Sequence, residues 1–189
     1  MDKGLIVAIS GPSGVGKGTV AAAVEAKLEG VRDVAHSISV TTRSPRGTEQ
    51  DGVEYYFRTR EEFEDLIDQG QIIEYDEYLG NYYGTPAGPL AKMAEEGKIV
   101  LMDITIEGSL NLKKFFGDDA VTIFITPPSM EELRKRLEGR QTDAADVIAR
   151  RLEQAKLEIE RAEEFEYILE NRDVDETSDE ILKIINKER

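Results

Sequence analysis

Leu5-Ile6-Val7-Ala8-Ile9-Ser10-Gly11-Pro12-Ser13-Gly14-Val15-Gly16-Lys17-Gly18-Thr19 decides the fold of this chain. An apolar, β-branched run passes straight into a glycine loop carrying one lysine, and Val20 to Leu28 continues with helix-compatible residues. The implied order is strand, phosphate loop, helix. Gly11, Gly14 and Gly16 let the backbone curl so that several N–H groups face one concavity. The helix N-terminus adds partial positive charge there, and Lys17 brings a full charge for the β and γ phosphates of a nucleotide. The spacing Gly-x-x-x-x-Gly-Lys is met, but Gly18 follows the lysine and the hydroxyl comes one place later, at Thr19. A glycine turn that binds nothing is the alternative; a strand before and a helix after favour the phosphate cradle.

Outward from the loop, apolar runs alternate with helical patterns. Val31 to Val40 reads as a second strand, Ile99 to Asp103 as a fully buried parallel strand, Val121 to Ile125 as another, and Tyr167 to Leu169 as a short one. Helices are expected from Pro86 to about Glu96, Ile106 to Phe116, Ser129 to about Glu138, Ala144 to Glu164, and from a capping-box pattern at Thr177-Ser178-Asp179-Glu180 to about Lys187. Such alternation predicts an α/β fold, a parallel core sheet covered on both faces, with ligands at the carboxyl ends of its strands. Residues 41 to 85 break the alternation: a loop, a strand at Tyr55 to Arg58, a helix at Glu61 to Gln69, mixed strand at Ile72 to Tyr78 and a turn at Asn81 to Gly84. They form a predicted inserted lobe. Residues 136 to 151 form a predicted lid, a basic helix–loop–helix. One domain results, with a core of residues 1–40, 86–135 and 152–189.

The 189 residues suffice for one sizeable core. No apolar run reaches membrane-spanning length, and a strand begins by Leu5, so no leader is expected and the chain reads as cytoplasmic. There are no cysteines, which excludes disulfides and thiolate zinc sites. The net charge of −15 argues against nucleic acid or an anionic membrane as partner. It also makes clusters of arginine informative. The single histidine, His36, is expected to be structural and partly buried, with no nucleophile arrangement beside it.

Three clusters go against the acidic background. Ser39 to Phe57 holds Arg43 and Arg46, with hydroxyls before and tyrosines after, a composition suited to a phosphate monoester; a solvated charged loop is an equal reading from spacing alone. Glu74 to Pro86 offers a carboxylate and a hydroxyl, Glu74 and Thr85, which together match the Watson–Crick edge of guanine, a weak signal by itself. Glu132 to Arg151 carries six basic residues against four acids. Beside a phosphate loop, such arginines suit stabilisation of a transferring phosphoryl group.

Taken together the segments resemble guanylate kinase, a nucleoside monophosphate kinase of the P-loop class, from Ile6 to about Asn171. The resemblance rests on Gly11 to Lys17, on Thr41-Thr42-Arg43-x-x-Arg46-x-x-Glu49-x-x-Gly52-x-x-Tyr55-x-Phe57, on Ile73-Glu74, on Gly80-Asn81-Tyr82-Tyr83-Gly84-Thr85, on Pro127-Pro128-Ser129 and on Arg136-Leu137-Glu138-Gly139-Arg140. It implies a three-layer α/β/α fold with a GMP-binding lobe and a lid, and ATP and GMP as substrates with Mg2+. By the same resemblance, Ser39, Arg43, Arg46, Glu49, Tyr55 and Tyr83 hold the GMP phosphate, and Glu74, Gly84 and Thr85 form the guanine site. Arg136, Arg140 and Arg151 meet ATP, Asn171 approaches the adenine, and Lys17, Arg43, Arg140 and Arg151 act on the transferring group. Asp103 reaches the metal through water. Two departures stand out. Gly18 occupies the place of the usual Ser or Thr, and Met102-Asp103-Ile104-Thr105 replaces Leu-Asp-Ile-Asp, so a second carboxylate is missing. The alternatives are a non-catalytic guanylate-kinase-like interaction module, against which the intact loop argues, and a kinase for another monophosphate.

Overall fold

The computed structural model describes residues 3–139 and 144–189. In chain order the elements are β1 (Leu5–Ser10), α1 (Lys17–Leu28), β2 (Val34–Ala35), β3 (Val40–Thr41), β4 (Tyr56–Phe57), α2 (Arg60–Asp68), β5 (Ile72–Tyr78), β6 (Asn81–Pro86), α3 (Ala87–Glu95), β7 (Ile99–Asp103), α4 (Ile106–Phe116), β8 (Ala120–Thr126), α5 (Met130–Gly139), α6 (Ala145–Glu160), β9 (Tyr167–Glu170) and α7 (Val174–Glu188).

Five strands form the core sheet in the order β2-β7-β1-β8-β9. All of its pairings are parallel. β1 is wholly buried at its centre because both faces are covered, which is why it reads as an unbroken apolar run. Its side chains alternate between two layers. Leu5, Val7 and Ile9 pack with Val20, Val24 and Leu28 of α1 and Ile181, Ile184 and Ile185 of α7. Ile6 and Ala8 turn the other way, onto Leu90 of α3 and Leu112 of α4. The chain passes from β7 to β8 across β1, so the loop after β1 lies where the strand order reverses, the customary place for a ligand.

A second sheet, β4-β3-β6-β5, is built within residues 40–86. The run Val31 to Val40 is not one strand. It splits into β2, which edges the core sheet, and β3, which pairs with β4 and β6 in the lobe. The expected turn at Asn81 to Gly84 is instead strand β6. The turn is Leu79-Gly80, both at positive φ (50° and 77°), joining Tyr78 to its partner Asn81. Two consecutive left-handed residues match the twist of a two-residue hairpin. Two helix boundaries also move. α7 begins at Val174 because the Asp173 side chain accepts from the N–H groups of Asp175 and Glu176, which leaves Thr177 and Ser178 buried inside the helix. α6 ends at Glu160, followed by a 3-10 turn over Ala162–Glu164. His36 is exposed, with Nε2 2.7 Å from Glu25 Oε1, rather than partly buried.

Candidate active site

The loop between β1 and α1 is shaped by left-handed glycines: φ is 145° at Gly11, 90° at Gly14 and 103° at Gly16. A side chain would be doubly penalised, since a Cβ on Gly11 would overlap the Ile125 carbonyl and one on Gly14 would come within 2.6 Å of Leu137. The loop is held from below. Asn171, at the end of β9 and almost wholly buried, donates from Nδ2 to Val15 O at 2.8 Å. Arg136 of α5 donates from Nη1 to the same carbonyl at 3.1 Å and from Nη2 to Asn171 O at 3.0 Å. Thr177 Oγ1 lies 3.2 Å from Asn171 Oδ1 and completes the bracket. Lys17 is the first residue of α1; its Nζ donates to Gly11 O at 2.7 Å and arches over the loop. Arg151 of α6 donates to Ser13 Oγ at 3.2 Å. Arg140 lies outside the described residues.

A cleft of about 750 Å³ opens above the loop, walled by its glycines, Lys17 and Thr19 on one side and by Asp103, Thr105 and Arg161 on the other. A second cavity of about 240 Å³ is lined by His36, Ser39, Glu74 and Thr85. Glu74, Asp103 and Ile104 line both, so the two spaces share a wall.

Glu74 projects from β5 and is half-buried. Burial raises its carboxyl above the ordinary glutamate value, while hydrogen bonding to Thr105 pulls it back. Thr85 is buried on β6. Gly84 beside it is a packing necessity: a Cβ there would come within 2.9 Å of Phe63 and 3.0 Å of the Glu74 carbonyl. Removal from water likewise raises the Asp103 carboxyl, with Lys17 lowering it.

The arginine cluster forms a compact group within the lobe. The Arg43 fork is bidentate to Glu49, at 3.0 Å and 2.9 Å, and lies over the rings of Tyr55 and Phe57. Glu49 also accepts from the Arg46 N–H at 2.7 Å. These donors hold the Glu49 carboxyl below its ordinary value. Tyr55 and Tyr83 meet edge to face with centroids 6.0 Å apart. Five of the predicted phosphate-site residues are thus brought together, with Glu49 acting as the bracket that orients the arginine. Ser39 lies instead on the cavity with Glu74 and Thr85.

Sequence reasoning missed the partners of Glu74. Thr105 enters only as a departure from the family pattern, yet its hydroxyl donates to Glu74 Oε2. Thr177 is missed because it reads as a helix start. Arg161 lies outside every motif, although it reaches the cleft and binds Glu107 at 2.5 Å. Among the described residues no group of three or more His, Asp or Glu side chains could hold a metal by itself. Asp103, facing the loop across the cleft, suits a cation that keeps water and phosphate oxygens as its other ligands, as Mg2+ does.

The parallel sheet and the glycine cradle at its reversal point define a P-loop nucleotide-binding protein. The family model for guanylate kinase matches residues 3–188. The guanylate kinase of Lactococcus lactis subsp. lactis is 48% identical over 187 residues, 99% of this chain and 89% of that protein. The guanylate kinase of Streptococcus pneumoniae (strain R6) is 48% identical over 187 residues, 99% and 88%. Among solved structures, the crystal structure of guanylate kinase from Anaplasma phagocytophilum superposes with a TM-score of 0.66 at 36% identity, covering 99% of this chain and 87% of that one. The chain belongs to the guanylate kinase family.

Proposed function

We propose that the chain transfers the γ-phosphoryl group of ATP to GMP, giving ADP and GDP, with Mg2+ and in the cytoplasm, and that dGMP is also accepted. The observation that carries the reading is the shared wall of the two cavities: Glu74 and Asp103 face both the phosphate cradle and the space lined by Ser39 and Thr85. The space assigned to the ATP phosphates and the space assigned to the guanine base are therefore adjacent. No helix among the described residues is long and apolar enough to cross a membrane.

In this reading the protein supplies position and charge rather than covalent chemistry. The loop N–H groups and Lys17 hold the ATP phosphates. Arg43 and Arg46, set by Glu49, hold the GMP phosphate, and Arg151, which reaches Ser13 of the loop, acts on the transferring group, a role the family resemblance also gives to Arg140. Glu74 accepts from the two N–H groups of the guanine edge, and Thr85 donates to its carbonyl. When bound, Mg2+ neutralises phosphate charge; Asp103 would hold it through water. The lobe and lid exclude water that would otherwise consume ATP.

The test is one coupled assay of the purified protein with GMP, dGMP, AMP, CMP and UMP as acceptors. GMP is expected to be preferred over AMP by about 10²-fold or more, because AMP leaves two buried polar groups mismatched at roughly 1–3 kcal/mol each. Equal rates with GMP and AMP would overturn the guanine reading. Absence of turnover with every acceptor would favour the interaction-module alternative.

A further inference from the structure

The turn between β7 and α4 carries a feature that neither the phosphate loop nor the lobe explains. Thr105 is the N-cap of α4, and its Oγ1 accepts from the Gly108 N–H at 3.0 Å. The same hydroxyl donates its proton to Glu74 Oε2. One hydroxyl thus serves the core helix and the lobe strand at once, as acceptor for the first and donor for the second. Gly108 makes the approach possible, because a Cβ there would overlap the Glu74 carboxylate. Further along α4, Asn111 Nδ2 donates to Ile73 O at 2.9 Å and fixes the backbone next to Glu74. One face of α4 therefore docks β5 at two consecutive residues, backbone at Ile73 and side chain at Glu74.

We propose that Thr105 is a positioning residue for Glu74, setting the rotamer of the base-reading carboxylate and tying it to the core across the cleft. The proposal rests on the reading of Glu74 as the guanine acceptor. For holding Glu74, a hydroxyl does here what the aspartate of the family pattern could not. An aspartate caps a helix equally well, but it has no proton to give and would set a second negative charge against Glu74. A carboxylate has about four lone-pair sites, so with one filled by Thr105 it still has capacity for both N–H groups of a guanine edge. An unheld glutamate at the mouth of a cleft would have to lose its rotamer freedom on each binding event. Thr105 removes that freedom in advance, which is pre-organisation of the acceptor.

The experiment uses the full chain and four variants: Thr105→Val, Thr105→Ser, Glu74→Gln and the double variant Glu74→Gln/Thr105→Val. Valine keeps the shape of threonine and removes the hydroxyl. Thr105→Val should raise the GMP KM about tenfold, the equivalent of one lost charge-assisted hydrogen bond, with the ATP KM and the kcat at saturating GMP within about twofold. Thr105→Ser should return the GMP KM to within about threefold of the parent, since the donor is restored. In the Glu74→Gln background, Thr105→Val should add less than about twofold, because its target carboxylate is gone. Thermal melting accompanies each variant, since loss of the cap lowers stability without selecting between the substrates. A GMP KM unchanged by Thr105→Val, in a protein that Glu74→Gln impairs, overturns the proposal and leaves the base reading intact. Equal rises in the GMP and ATP KM, or no rescue by serine, also overturn it, by making the effect structural. If Glu74→Gln leaves GMP use untouched, the base reading itself fails and the proposal falls with it.

Discussion

The ATP-side cradle and the monophosphate-side site are built in opposite ways. The cradle is one uninterrupted stretch, Gly11 to Thr19, whose working groups are mainly backbone N–H groups and a single lysine. Its conformation is prescribed by left-handed glycines and held by Asn171 and Arg136 from beneath. The proposed monophosphate site draws on side chains from separate segments: Ser39, the Arg43–Glu49 pair, Tyr55, Glu74, Tyr83 and Thr85, with Thr105 of the core bonded to Glu74. Backbone recognition serves any nucleotide phosphate. Side-chain recognition distinguishes one base from another. The division predicts that damage to the cradle affects every acceptor alike, whereas damage to the lobe changes which acceptor is chosen.

The sharpest way to break that division is at Lys17. Lys17→Met removes the one full charge of the cradle, and turnover should fall about 10³-fold, the upper range for loss of a preorganised charge-stabilising donor. The loss should be equal with GMP and dGMP, and the melting temperature should stay near that of the parent, because the residue lies at the cleft rather than in the core. Steady-state rates and a thermal melt check both. Turnover within tenfold of the parent would show that the cradle depends on its backbone alone.

On the lobe side, Glu74→Gln should lower kcat/KM for GMP about 10²-fold, since the amide presents a donor where the base offers one and leaves it unpaired. The ATP KM should move less than about twofold if the two sites are energetically separate. The pH dependence sharpens the comparison. Glu74 must be ionised to accept two N–H groups, and burial raises its pKa. The kcat/KM for GMP should therefore fall as pH drops through a value above that of ordinary glutamate, and level off above it. Glu74→Gln should abolish this limb in the GMP profile. A GMP profile unaltered by Glu74→Gln would remove the residue from the base site.

The same contrast decides what could be read from the chain. The cradle was legible because its chemistry is local: strand, glycines, lysine and helix are adjacent, and each enforces the next. The lobe residues were grouped only through the family resemblance, because nothing in the spacing of Glu74 and Thr85 says that they line one cavity. The Thr105–Glu74 contact was invisible for that reason, with donor and acceptor 31 residues apart in sequence. The misread elements fail for related reasons. Val31 to Val40 is a plausible strand, but its two ends belong to different sheets, a tertiary decision. Leu79 takes a left-handed turn position (φ 50°) that propensity gives to glycine or asparagine, which moves the hairpin turn two residues ahead of Asn81. The capping pattern at Thr177 is overridden by Asp173, whose side chain caps the helix four residues earlier, while Thr177 is drawn inside to bind Asn171.

That interior threonine leads to a smaller effect. Asn171→Ala removes the Nδ2 donor from Val15 O and leaves a pocket between the loop and α7. Arg136 still serves the carbonyl, so the loop should loosen rather than collapse. A loss of about 2 kcal/mol is expected for a buried hydrogen-bonding group, or about 4–8 °C in melting temperature for a domain of this size. The ATP KM should rise more than the GMP KM, and by about the same factor when GTP replaces ATP as donor. A factor that depends on the donor base would place Asn171 at the adenine instead of under the loop.

The smallest effect concerns Gly18, where the cradle departs from its family. Unlike the three loop glycines, Gly18 lies in α1 without a left-handed φ, and a Cβ there would find only Asp103 Oδ2, 3.8 Å away, an ordinary contact. Serine is therefore accommodated, and it also improves the helix by a few tenths of a kcal/mol, roughly the propensity difference from glycine. Its hydroxyl would lie near Asp103, where in the proposed reading phosphate oxygens and water would complete the metal's shell. Gly18→Ser should lower the Mg2+ concentration for half-maximal rate by only about twofold, because a pre-positioned protein oxygen then replaces one water of a shell that Mg2+ exchanges reluctantly. A titration of rate against Mg2+ at saturating ATP and GMP measures this. A higher requirement would mean that the serine donates to Asp103 and occupies the carboxylate instead. An unchanged requirement would mean that Thr19 already supplies the hydroxyl, and that this chain moved its metal ligand by one residue rather than losing it.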